Sequence, residues 1–278
     1  MPAFQRSPLS YEERALHHPH PVAKRLFQVA ELKKSNLVFS ADLNDTNTLL
    51  ACADLLGPYI AVLKTHIDLV HDFSYKTIHG LLKLAEKHNF LIFEDRKLVD
   101  IGYTVQRQYQ FGALRLSDWA DIVNVSILSG DGIVEALDEV ITHPSFPWKD
   151  KRALLLLAEM TTQGSRAVGA YTEQCAALAP TYPSSVIGFV ATRAITPPAS
   201  GAGDFVVFST GIDMAAEGDA LGQQYQTPYS AIQRGADFLI VGRGIYDSQD
   251  PVSAATAYRY AGWQAYLQRT GQEYKAQS

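Results

Sequence analysis

Eight short apolar runs recur along this chain, at residues 37–40, 60–63, 90–93, 122–125, 153–157, 186–190, 205–208 and 238–241. Each has the length of a strand and reads as one buried on both faces. Amphipathic segments lie between most of them, at 48–56, 76–88, 104–115, 133–140, 171–179 and 228–234. Buried strands alternating with helices make parallel sheets, and eight such units fit a closed (β/α)₈ barrel, the TIM-barrel class of α/β folds. The intervals differ in length, and the stretches after the sixth and seventh runs are glycine-rich rather than clearly helical. No linker or low-complexity segment interrupts the series, so residues 1–278 are expected to form a single domain. The segment 1–35 precedes the first strand. Its first twenty residues, rich in His and Pro, read as a loosely ordered arm. Residues 23–34, with Leu26, Phe27, Ala30 and Leu32 at helical spacing, read as a helix that covers one end of the barrel. At the other terminus, 254–267 carries Tyr258, Trp263 and Tyr266 and reads as a closing helix.

Composition narrows the function. A formal net charge of -5 and a pI near 5.9 leave no global basic footprint for nucleic acid. A local anion site remains compatible with that balance. No apolar run approaches the length of a membrane span, and the N-terminus lacks an apolar signal core. Cys52 and Cys175 each sit in an alanine- and leucine-rich helical pattern and read as free thiols in a reducing compartment. The expected location is therefore the cytoplasm. His17, His18 and His20 lie in a proline-rich setting without a helical or cysteine partner, so no metal site is expected there.

Polar residues recur where the apolar runs end: Asp42 after the first, Lys64 after the second, Asp95 after the third, Asn124 in the fourth, Glu159 after the fifth and Arg243 after the eighth. In a parallel barrel these positions converge on the C-terminal rim, where barrel enzymes carry their active sites. The densest stretch is Glu94-Asp95-Arg96-Lys97-Leu98-Val99-Asp100-Ile101-Gly102. The strand is expected to end where these charges begin. Asp95 and Lys97 are two apart and share a face if the backbone stays extended. Charges at the end of a buried strand are costly unless paired.

That stretch, with Leu63-Lys64-Thr65-His66, resembles orotidine 5′-phosphate decarboxylase, most closely the fungal enzymes of that family. Further matching stretches are Leu155-Leu156-Leu157-Ala158-Glu159, Gly218-Asp219-Ala220-Leu221-Gly222-Gln223-Gln224-Tyr225, Ile240-Val241-Gly242-Arg243-Gly244 and Ala261-Gly262-Trp263, so the likeness spans nearly the whole chain. The resemblance implies decarboxylation of orotidine 5′-monophosphate to UMP without metal or cofactor, in a homodimer whose two sites lie at the interface. It implies a charged catalytic network of Lys64, Asp95, Lys97 and Asp100, with Asp100 and Thr104 reaching into the partner's site. It further implies ribose contacts from Asp42, Lys64, Asp100 and Thr104, substrate contact at His66, a pyrimidine contact at Thr161, and phosphate contacts from Gln223, Tyr225, Gly242 and Arg243. Residues 211–225 take the place of a phosphate-binding lid. Two departures stand out: Thr161 where the family often has serine, and Thr210 where the fungal pattern usually has proline.

The residues support this chemistry independently. Loss of CO₂ from C6 leaves a carbanion with little resonance help. A lysine ammonium aimed at C6 stabilises that charge and donates the proton that replaces CO₂. Lys97 is the candidate, and the flanking Asp95 and Asp100 favour its ammonium form. Asp95 either repels the substrate carboxylate or chiefly holds both lysines in place. Two rival readings are a Schiff-base aldolase using Lys64 and a non-catalytic nucleotide-binding barrel. The first wants a lysine in an apolar or cationic setting, and carboxylates surround this one. The second has no need of Asp95 beside an anionic ligand.

Overall fold

The computed structural model describes residues 9–198, 203–215 and 222–272. Eight parallel strands close a barrel in chain order: β1 (Leu37–Ala41), β2 (Val62–Thr65), β3 (Leu91–Leu98), β4 (Ile122–Val125), β5 (Ala153–Leu157), β6 (Val186–Val190), β7 (Val206–Ser209) and β8 (Phe238–Val241). The last strand pairs with the first, Val38 opposite Ile240. The helices are α1 (Tyr11–His17), α2 (Pro21–Lys33), α3 (Thr46–Leu56), α4 (Tyr75–His88), α5 (Gly102–Gln110), α6 (Leu116–Trp119), α7 (Gly132–Thr142), α8 (Ala170–Leu178), α9 (Pro228–Gln233), α10 (Arg243–Tyr246) and α11 (Pro251–Thr270).

Strand periodicity sorts the apolar residues into two cores. Val38, Val62, Leu91, Phe93, Leu155, Phe208 and Phe238 point inward and fill the barrel. Phe93 meets Phe208 edge-on, and Phe208 stacks on Phe238 at 5.1 Å, making a floor of aromatic rings below the rim. Leu37, Phe39, Leu63, Ile92, Val123 and Leu154 point outward and pack under the helices. Burial of each such side chain contributes about 1.5–3 kcal/mol.

The chain departs most from its sequence reading in two places. The first is the N-terminal arm. Residues 1–8 lie outside the described residues, but 9–20 are not loosely ordered. Ser10 and Glu13 form a reciprocal capping box that starts α1. The Tyr11 ring lies flat on Tyr266 at 4.0 Å, and its hydroxyl donates to the Asp237 carbonyl at 2.6 Å. Arg14 is buried and pairs with Asp204 at 2.7 Å and Asp237 at 2.8 Å. His18 reaches the Asp204 carbonyl, and His20 caps α2 by accepting from the Val22 N–H. Helices α1 and α2 therefore stopper the N-terminal end of the barrel, joined there by Trp263 and Tyr266 of α11.

The second departure is β3. It does not stop at Phe93 but runs through the charged residues to Leu98, with its pairing to β4 shifting between Glu94 and Leu98. Lys97 takes a left-handed backbone there, φ 51°, and its N–H donates to Asn124 Oδ1 at 2.7 Å. The bulge turns a buried strand into a platform that carries its charges above the floor.

Candidate active site

The rim residues meet in one cleft of about 270 Å³ at the C-terminal mouth of the barrel. Asp42, Lys64, His66, Asp95, Lys97, Thr161, Gln223, Tyr225, Gly242 and Arg243 all line it. Their positions follow from strand period and register. Ser40, Lys64 and Asp95 are inward positions above the apolar layers, each two residues beyond an inward Val38, Val62 or Phe93.

Asp95 is the hub. Its Oδ1 receives Lys97 Nζ at 2.7 Å and Asn124 Nδ2 at 2.5 Å; its Oδ2 receives Lys64 Nζ at 3.0 Å and His66 Nε2 at 3.0 Å. His66 Nδ1 meets Asp42 Oδ1 at 2.7 Å, so the imidazole bridges two carboxylates. Lys64 also lies 3.7 Å from Asp42, and Ser40 donates to Asp42 at 3.1 Å. Lys64 and Asp95 are buried, while Lys97 is about one-third exposed at the cleft surface. Burial pushes the Asp95 carboxyl up, but Lys64, His66 and Lys97 outweigh it and hold it well below the usual carboxylate range. Asp42, likewise opposed by burial, is pulled down to about 2 by His66 and Lys64. Burial lowers His66, and hydrogen bonds to Asp42 and Asp95 more than reverse it, so its pKa is raised.

The opposite wall is built from the loop after β5 and the segment at Gln223. Thr161 Oγ1 accepts from Gln223 Nε2 at 2.6 Å and stands 3.4 Å from Thr210 Oγ1. Thr162 and Gln223 form an antiparallel bridge, which fixes the two loops together. Gly211 has φ +66°, and a Cβ there would meet the Gln224 carbonyl at 2.5 Å, so only glycine allows this close pass. Arg243, at the start of α10, donates to the Tyr225 hydroxyl at 2.7 Å. Residues 216–221, including Gly218-Asp219-Ala220-Leu221, lie outside the described residues. Glu159 turns from the cleft centre to Thr192 and to Arg193 at 3.0 Å.

Asp100 and Thr104 are not brought into this cleft within one chain. Asp100 is exposed, its Oδ1 accepting from the Ile101 N–H at 2.7 Å just ahead of α5. Thr104 sits in the first turn of α5. Around Asp100, Val99, Ile101, Tyr103 and Leu128 are exposed apolar side chains. Sequence reasoning gave no role to Glu94, which is buried behind the cleft, or to the central bridging of His66. The alternation of β3 was the available signal for the first: a residue next to inward Asp95 must point into the outer core.

Comparison with known proteins places this geometry. The model of the "Orotidine 5'-phosphate decarboxylase / HUMPS family" matches residues 35–258. An orotidine 5′-phosphate decarboxylase of Penicillium nalgiovense is 58% identical over 272 residues, covering 96% of this chain and 98% of the relative. That of Aspergillus fumigatus is 57% identical over 270 residues, covering 95% and 97%. The solved orotidine 5′-monophosphate decarboxylase of Methanocaldococcus jannaschii, complexed with the inhibitor BMP, superposes with a TM-score of 0.58 at 18% identity, covering 81% of this chain and 97% of that one. The Pyrococcus horikoshii enzyme gives 0.57 at 20%, covering 81% and 98%. These two solved structures share the barrel fold. With the family model across most of its length and relatives this close, the chain belongs to the orotidine 5′-phosphate decarboxylase / HUMPS family.

Proposed function

We propose that this chain decarboxylates orotidine 5′-monophosphate to UMP and CO₂, with Lys97 as the proton donor. The activity rests on 57–58% identity to orotidine 5′-phosphate decarboxylases over nearly the full chain. One observation carries the mechanism: Asp95, with both oxygens held by donors, positions two ammonium groups at the mouth of the cleft.

The C6–carboxyl bond breaks and its electron pair stays on C6. The Lys97 ammonium faces that pair, stabilises it and passes a proton to C6; CO₂ departs and solvent reprotonates Lys97. Preorganised cations act here because Lys64 and its Asp95 anchor are buried and need not reorganise as charge develops. Asp95 serves chiefly as the anchor of both lysines, supported by its four donors. Asp42 and Lys64 hold the ribose together with Asp100 and Thr104 of the partner subunit, His66 contacts the substrate, and Thr161 meets the pyrimidine. Gln223, Tyr225, Gly242 and Arg243 take the phosphate, with 211–225 closing as a lid. Phosphate binding far from C6 supplies energy that assembles the site. No metal or cofactor takes part.

The working unit is a homodimer in the cytoplasm, each chain a single domain, with Asp100 of the partner subunit completing the charged network. The exposed Val99, Ile101, Tyr103 and Leu128 beside Asp100 support this interface. No helix among the described residues is long and apolar enough to cross a membrane.

Purified protein is expected to convert orotidine 5′-monophosphate to UMP, followed by ultraviolet absorbance, with full activity in chelator. Activity lost in chelator and restored by Mg²⁺, on a sugar phosphate instead, would overturn the reading in favour of the other branch of the family.

A further inference from the structure

Glu94 lies beside Asp95 in sequence but on the opposite face of β3. It is wholly buried and touches no substrate-lining surface. The Thr65 hydroxyl donates to its Oε2 at 2.6 Å, and the Ile67 N–H is shared between Oε2 at 3.1 Å and Oε1 at 3.2 Å. Both donors flank one residue, His66, at the corner where β2 ends and the chain turns, φ −113° and ψ 82°. A buried carboxyl group is tolerated only where hydrogen bonds replace water. Here those bonds all go to a single tripeptide, the one that carries the imidazole bridging Asp42 and Asp95.

We propose that Glu94 is a positioning residue: by clamping Thr65 and Ile67 it fixes the β2 corner and aims His66 between Asp42 and Asp95. The inference rests on the decarboxylase reading for its kinetic consequence, not for its geometry. Glu94 acts through His66, and His66 holds the two carboxylates that anchor the lysines. The groups around it are few. Glu94 is faced by Thr65, Ile67, His66 and Lys64; His66 is faced by Asp42, Asp95, Lys64 and Lys97. Burial raises the Glu94 carboxyl to about 7, against the pull of the Thr65 hydrogen bond. Near neutral pH the clamp thus works with or without full charge, and shape is what it supplies.

Three variants test this in the full chain: Glu94→Ala, Glu94→Gln and Thr65→Val. Glutamine keeps an acceptor for the Ile67 N–H and a polar partner for the Thr65 hydroxyl. Alanine removes both contacts and is expected to lower kcat/KM by about tenfold or more, the scale of one or two lost hydrogen bonds. Glutamine is expected to recover most of that loss. NMR titration of the His66 imidazole, assigned with a His66→Gln control, reads position directly. In Glu94→Ala its midpoint falls toward the ordinary histidine value, and in Glu94→Gln it stays raised. Thr65→Val moves both readouts in the same direction by less. Folded variants with wild-type kcat/KM and an unchanged His66 titration overturn the proposal. If Glu94→Ala does not fold, Thr65→Val decides alone by the same two readouts. If the wild type fails to turn over orotidine 5′-monophosphate, the decarboxylase reading falls, while the His66 titration still judges the clamp.

Discussion

At Lys97 the backbone holds φ 51° on a residue with a Cβ, a conformation that costs a non-glycine residue about 1–2 kcal/mol. The bulge, the Asn124 bond and the Asp95 ion pair hold it there. Lys97→Ala is expected to lower kcat by at least about 10²–10³-fold, the loss typical of one preorganised stabilising group. Lys97→Gly should be as inactive, yet more stable than Lys97→Ala by about 1 kcal/mol because it relaxes that φ. Calorimetry of the two variants reads the difference directly; equal melting temperatures would refute the strain. The site's carboxyl groups also give stability opposing pH dependences. Asp42 and Asp95 have depressed folded pKa values, so their contribution is present above about pH 4 and is lost as pH falls through about 2 for Asp42. Glu94 is raised to about 7, so its contribution is full below its unfolded value near 4.5 and is lost as pH rises through 7. The ceiling on that loss is about 3 kcal/mol. The melting-temperature advantage of Glu94→Gln over wild type should therefore grow between pH 5 and pH 8; an advantage independent of pH would contradict it.

Among the elements, those set by long buried runs were legible in the sequence, and those set by local chemistry were less so. Strands β4, β5, β6 and β8 begin and end where hydropathy puts them, because apolar burial sets their bounds even where β4 carries the buried Asn124. The extension of β3 was hidden, since hydropathy reads Glu94 to Lys97 as solvated loop while cross-strand bonds and a bulge keep it in the sheet. Helix α1 was hidden for the opposite reason. Its capping box was present in Ser10 and Glu13, but surrounding His and Pro masked it, and its stability comes from Arg14 and Tyr11 docking onto a distant part of the chain. In the cleft, residue types at strand ends were readable from period and order. The place of Asp100 across an interface came from the resemblance rather than from period and order, and one chain leaves that residue at the surface. Arg14→Ala should show how much the stopper contributes. It removes the buried pairs with Asp237 and Asp204 while Arg269 stays on Asp237, and is expected to destabilise by up to about 3–5 kcal/mol, the result of breaking a buried pair outright. A urea midpoint shift well under 1 kcal/mol would show α1 to be an appendage.

For the whole molecule the central test is complementation. Lys97→Ala and Asp100→Ala, each inactive alone, are mixed under conditions of subunit exchange. With Asp100 acting across the interface, a heterodimer carries both lesions in one site and leaves the other intact, so activity returns toward about one quarter of wild type, from half the dimers at half capacity. No recovery with exchange verified would mean Asp100 acts within its own chain. The stopper at the far end of the barrel bears on traffic. With Tyr11, Phe27, Phe238 and Tyr266 packed there, and Phe93 and Phe208 flooring the cleft, the described residues fill the barrel interior from stopper to floor. Substrate and both products then share the mouth between Arg243 and the Lys97 platform, like traffic on a single-track road.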